Sequence, residues 1–179
     1  VTAVNDAPVL DNAQSPTLTS IAEDTAAPAG DTVGSVVVDG SITDPDGGAV
    51  EAIAITAADN ANGTWQYKIG AGAWTNIDDG GLAAGHALLL DSADLVRFVP
   101  TGNWNGNATV TFRAWDKSAG AAGNYVDTTT NGGTTPYSTA TDTAQITVTA
   151  VNDAPVLDNA QSPTLTSIAE DTAAPAGDT

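Results

Sequence analysis

The first 32 residues of the chain, VTAVNDAPVLDNAQSPTLTSIAEDTAAPAGDT, recur without a change as residues 148–179, which fixes a period of 147 residues within a sequence of 179. A structural demand would not hold surface-type positions such as Gln14 and Gln161 identical, so we read the repeat as tandem duplication within a longer array. The domain organisation follows: residues 1–151 form one repeat, and residues 152–179 form a linker and the first strand region of the next, which is incomplete. Sequence identity alone allows the second copy to trail, to dock where residues 1–32 sit, or to supply a strand to a neighbouring molecule.

Each copy of the duplicated segment carries five acids and no base, and the whole chain has 22 Asp and Glu against 4 Lys and Arg, a formal charge of −18. With the second copy's five acids set aside, one period holds 17 acids and 4 bases, so charge accumulates at −13 per repeat. A string of such units repels itself unless cations screen it. Lys68, Arg97, Arg113 and Lys117 are too few and too scattered to displace the counterions of a polyanion, which excludes nucleic acid as a partner. No stretch approaches the roughly 20 apolar residues that cross a bilayer, and Val1 to Asp6 has no signal-peptide pattern. We expect a soluble segment that begins within a longer chain and does not insert into a membrane. The absence of cysteine removes disulfides, thiolate metal sites and cysteine nucleophiles.

Strand patterns fill the period. Alternating or β-branched runs lie at Thr17–Ala22, Val33–Val38, Val50–Thr56, Thr64–Ile69, Ala87–Leu90, Val96–Val99, Ala108–Trp115 and Thr143–Val151. Asp39-Gly40, Asp46-Gly47, Asn62-Gly63 and Asn105-Gly106 punctuate them with tight-turn chemistry. A helical turn within Leu82–Leu95, capped at Asp91 or Ser92, is the one competitor, weakened by Gly85 and by the strand that follows. Lys117–Ala140, rich in Gly, Ser and Thr, reads as a surface loop or small hairpin. This many short strands close as an all-β fold, an antiparallel β-sandwich with Greek-key connections.

The placement of carboxylates at turns is the informative chemistry. Calcium takes six to eight oxygens at about 2.3–2.6 Å, so a site needs several Asp, Asn or Glu side chains to converge. Asp44-Pro45-Asp46-Gly47-Gly48 sets two carboxylates in a glycine-closed loop; alone, that pattern is also an ordinary turn. Val4-Asn5-Asp6-Ala7-Pro8, repeated at Val151-Asn152-Asp153-Ala154-Pro155, is an extended stretch that proline keeps non-helical. Asp116 ends a strand, and Glu23-Asp24 end another.

In this order, VNDAP at each period boundary, Glu23-Asp24-Thr25, DPDGG, Phe98-Val99-Pro100 with Trp104-Asn105-Gly106, and TFRAWD at 111–116, the chain resembles bacterial cadherin-like tandem repeats of large RTX- and VCBS-type surface adhesins. The resemblance covers the whole period and implies a cadherin- or immunoglobulin-like sandwich, secreted to the bacterial cell surface, that binds Ca²⁺ where identical repeats meet end to end. It implies a non-catalytic extender, working in cell adhesion or biofilm formation, whose parent protein binds its ligand through other, distal domains. Carried over by position, Asn5, Asp6, Asp44, Asp46 and Asp116 would ligate calcium at the N-terminal pole, and Glu23, Asn152 and Asp153 at the C-terminal pole. The family's Asp-Arg-Glu element is missing, and Asp91-Ser92-Ala93-Asp94, more in keeping with a turn, is only a loose stand-in.

Two other classes compete with this reading. Pairs of Asp are too common here to mark a glycosidase, and His86 has no Ser and Asp arrangement around it, so no enzyme is expected. A carbohydrate-binding or directly adhesive module could stack sugars on Trp65, Trp74, Trp104 or Trp115, with Tyr67 and Tyr137 nearby; ordinary cross-strand packing is the competing role for these aromatics.

Overall fold

A computed structural model describes residues 2–78, 80–82 and 85–178. It is an all-β sandwich with, among the described residues, one four-residue α-helix. The larger sheet has the order β11-β8-β5-β10-β12-β2, formed by Tyr125–Asp127, His86–Leu90, Ala52–Ala58, Gly106–Trp115, Asp142–Thr149 and Ile21–Ala22. The smaller has the order β3-β9-β6-β7, formed by Asp31–Thr32, Leu95–Pro100, Gly63–Lys68 and Thr75–Asn76. A short ladder joins β1 (Val9–Leu10) to β4 (Ile42–Thr43). Pairing is antiparallel throughout these ladders except for β2 on β12, where Ile21 lies beside Val148 and Ala22 beside Thr149 in parallel.

Period-two alternation builds the core. Ile53 and Ile55 of β5, Leu88 and Leu90 of β8, and Val110 and Phe112 of β10 point inward to meet Trp65, Val96 and Phe98 of the smaller sheet. The opposite faces of β5 and β8 are buried as well. Ala52, Ala54, Ala87 and Leu89 form a second cluster with Trp115 and Tyr137. What covers it is the segment after β10, which reads from sequence as a surface loop or small hairpin. Its β11 instead pairs with β8, Tyr125 beside Leu88. Tyr137 bridges Trp115, and the Trp115 indole donates to Ala119 O at 2.8 Å. Its Gly- and Thr-rich composition hid the few aromatic anchors that hold it down.

Val33–Val38 does not form the strand its β-branched run suggests. Val33–Val36 is a single helical turn, α1, in which Thr32 Oγ1 accepts the Ser35 amide at 3.2 Å and Ser35 Oγ donates to Thr32 O at 2.8 Å. The amides of Val33 and Gly34 donate to Asp94 O and Ser92 O of the turn between β8 and β9, so local capping and a tertiary partner outweigh propensity. In Leu82–Leu95 the described residues form β8 and the turn at Asp91–Asp94, with Gly85 in a 3₁₀ turn just before β8; Ala83 and Ala84 lie outside the described residues. Asp94, only 4% exposed, closes that turn by accepting the amides of Gly70 and Asp91. Thr17–Ala22 is a strand only at Ile21–Ala22, with an isolated bridge at Thr17. The short strands β1, β3, β4, β7 and β11 carry no sequence pattern of their own.

Residues 151–178 are exposed along their whole length and contain no strand.

Candidate functional site at the two poles

The direction of β10 defines the poles. It runs antiparallel to β12, with Gly106 beside Val148 and Phe112 beside Asp142, so Trp115 and Asp116 lie at the end opposite Thr149 and the second linker. The first linker sits at the Asp116 end. Asn5 Nδ2 donates to Asp116 Oδ2 at 2.9 Å, and the Asp6 amide donates to Asp46 Oδ2 at 2.7 Å. Asp44 Oδ1 in turn accepts the Asp46 amide at 2.8 Å, and Asp116 Oδ1 accepts the Ser118 amide at 2.7 Å. Gly47 and Gly48 take φ of +80° and +73°, which the loop needs to double back so tightly. Thus Asn5, Asp6, Asp44, Asp46 and Asp116 are joined in one neighbourhood drawn from three separate segments of the chain. Ala7 N donates to Gly133 O at 2.8 Å and fixes the linker's exit.

At the opposite pole, Glu23 is only 5% exposed. Its amide donates to Thr149 O at 3.0 Å, and its Oε1 accepts the Val151 amide at 2.6 Å. Parallel pairing of β2 with β12 brings the two strand ends to the same place. Asp153 Oδ2 accepts Asn103 Nδ2 at 2.6 Å, while Asn152 Nδ2 bonds only to the neighbouring Asp153 O. Glu23, Asp24, Thr25, Ala26, Pro100 and Gly102 line a cavity of about 200 Å³ beside these groups. Asn103 was missed by sequence reasoning. The available signal was a Gly-Asn pair just past a strand-ending proline, where Asn tolerates the left-handed backbone it adopts at φ +59°.

Among the described residues, no three or more histidine or carboxylate side chains are grouped as a metal-ligand set. The carboxylates of Asp44, Asp46, Asp116, Glu23 and Asp153 each accept an N–H donor. The donor chemistry is all oxygen and amide, which suits a hard cation such as Ca²⁺ and not a thiolate or imidazole metal. Asp91 is committed elsewhere, paired with Lys117 at 2.6 Å.

The four tryptophans divide by burial. Trp65 and Trp115 are 0% and 1% exposed and belong to the two cores. Trp104 packs edge-on against Phe98 at 5.8 Å. Trp74 lies under the Arg97 guanidinium at 4.0 Å and the Lys68 ammonium at 5.2 Å. Burial lowers the Arg97 pKa from its ordinary value, and the side chain is held by Gln66 Oε1 and Pro28 O.

No known protein family, curated protein or solved structure matches the chain. Among the described residues no helix is long and apolar enough to cross a membrane.

Proposed function

We propose that the chain is a calcium-binding extender repeat of a large bacterial surface adhesin, a non-catalytic spacer that holds distal binding domains away from the cell. The observation that carries this reading is that the two identical linkers are held at opposite poles. Val4-Asn5-Asp6 sits on the N-terminal pole of the bead that follows it, through Asp116 and Asp46. Val151-Asn152-Asp153 sits on the C-terminal pole of the bead that precedes it, through Glu23 and Asn103. Because the linkers share one sequence, each is half of the same junction. In an array every linker meets both poles at once, which gathers Glu23 of one bead, the linker Asp, and the counterparts of Asp44, Asp46 and Asp116 of the next around a few residues.

Five carboxylates so close repel one another, and in 0.15 M salt screening over about 8 Å is too long-ranged to relieve groups in near contact. A divalent cation replaces that repulsion with shared ligation, so the junction stiffens when calcium binds and flexes when it leaves. Within one chain the N-terminal pole carries all of these groups except the preceding bead's Glu23. The test is therefore calcium titration of the chelator-stripped protein by calorimetry, with thermal unfolding in both states. Binding at a hundredfold excess over Kd stabilises by about 2.7 kcal/mol, or roughly 5–10 °C in Tm for a domain of this size. Asp46→Asn and Asp116→Asn should each reduce that shift. A melting curve that calcium leaves unchanged refutes the reading.

A further inference from the structure

We propose that the parallel pairing of the duplicated segment with β12 is a mechanical clamp, placed so that tension along the chain loads its hydrogen bonds together. Three observations lead there. First, the chain enters the bead at the pole of Asp116 and leaves it at the pole of Glu23, as the linker contacts at Asn5, Asp6 and Val151 establish. Tension applied to the chain ends therefore runs from pole to pole.

Second, the segment from Pro16 to Glu23 and the strand β12 run side by side toward the same pole. Force on the entering chain draws the first toward the Asp116 pole, while force on the leaving chain draws β12 toward the other. The two are thus pulled past one another along their length. Strands that share a direction and are pulled from opposite ends resist as a unit. Strands pulled apart from the same end open one bond at a time.

Third, the bonds that would share the load are distributed along the whole contact. Gln145 N donates to Pro16 O at 3.0 Å, and Leu18 N donates to Gln145 O at 2.9 Å. Farther along, Thr149 Oγ1 donates to Ile21 O at 3.2 Å, and Glu23 N donates to Thr149 O at 3.0 Å. The last bond, Val151 N to Glu23 Oε1 at 2.6 Å, ties the departing linker itself to the end of β2. Leu18 and Val148, 5% and 2% exposed, bury their side chains along this contact, while the Thr149 bond stays exposed. Nothing in the clamp requires a metal, so it goes beyond the calcium reading and stands or falls without it.

The absence of cysteine makes engineered thiols unique attachment points. Two variants of the full chain are pulled in chelator by single-molecule force spectroscopy. Ser15→Cys with Val151→Cys applies force from opposite ends of the pair and shears it, leaving the contacts of the first linker and β1 out of the load path. Asp24→Cys with Val151→Cys applies it at the same pole and peels the pair from Glu23 backward. Equal melting temperatures of the two variants establish that both carry the same fold. The clamp gives a first rupture force about twofold or more higher in the shear geometry, because several bonds must fail at once. A shear rupture force equal to or below the peel value overturns the proposal. Because no calcium is present, this result is independent of whether calcium binds at the poles.

Discussion

Leu18 and Leu165 are the same residue in the same surroundings, Pro-Thr-Leu-Thr-Ser-Ile-Ala, yet Leu18 is 5% exposed and Leu165 is 85% exposed. Truncating each to alanine separates what the residue is from where it is. Burial of a leucine side chain is worth about 1.5–3 kcal/mol in transfer alone, and the cavity left by Leu→Ala adds to this. Leu18 borders an existing cavity of about 240 Å³ with Ile21, Phe98 and Ile146, so fewer neighbours lose contacts than in a fully enclosed site. We therefore expect Leu18→Ala to cost about 2–3 kcal/mol, toward the low end of such substitutions. Leu165→Ala should stay within about 0.5 kcal/mol of the parent, as for an ordinary surface change. Urea unfolding followed by fluorescence of the buried Trp65 and Trp115 measures both.

The double variant adds a further check, because the second copy could in principle rescue the first. Full replacement within one molecule is sterically closed. Ala154, the counterpart of Ala7, would have to reach Gly133 at the far pole. Five residues beyond Thr149 span at most about 18 Å, whereas the ten residues of β10 separate the poles by about 30 Å. The double variant should therefore match Leu18→Ala alone. Comparable losses from Leu18→Ala and Leu165→Ala, or no loss from Leu18→Ala, would refute the reasoning.

Two other substitutions probe the frame around the poles. Gly63→Ala would place a methyl 2.3 Å from Phe98 Cζ and 2.5 Å from Val99 O, and overpacking of this kind costs about 1–3 kcal/mol, measurable in the same urea assay. Glu51 has its pKa raised above the ordinary 4.5, first by burial and then by the nearby Asp39 carboxylate. Its ionised form is thus disfavoured in the folded state: the cost is absent below the unfolded pKa and present above the folded one. Glu51→Gln should raise Tm at neutral pH, and the gain should shrink as the pH falls toward 4.5. A gain that persists in acid would show that the effect is not electrostatic.

Much of the fold was legible because its signals are local. The strands β5, β6, β8, β9, β10 and β12 announce themselves by alternating or β-branched runs, and in β10 and β12 the inward residues are those the period of two selects. The acids were legible as turn residues. Their grouping was not legible from spacing, because Asn5, Asp46 and Asp116 are brought together by chain segments far apart in sequence; it came only as what the resemblance to cadherin-like repeats implied. Helix α1 escaped for a similar reason: its amides are satisfied by the turn at Asp91–Asp94, a partner about sixty residues away that no propensity registers. The burial of Tyr137 depended on a β-sheet face being free to receive it.

The duplicated segment separates local determination from tertiary decision within a single molecule. In both copies the aspartate at the start of the loop accepts the same two bonds, Ala13 N and Gln14 Nε2 on Asp11, Ala160 N and Gln161 Nε2 on Asp158. Both carboxyls have lowered pKa values from those same bonds, the side-chain one contributing most. Thr25 N donates to Ala22 O in one copy and Thr172 N donates to Ala169 O in the other. Those features involve atoms a few residues apart, so sequence alone sets them. Among the described residues, strands β1, β2 and β3 form in the first copy only. A strand closes its hydrogen bonds on a neighbour about 4.8 Å away, and an apolar side chain is buried only where others already wait, so Leu10 is covered while its twin Leu157 remains 86% exposed.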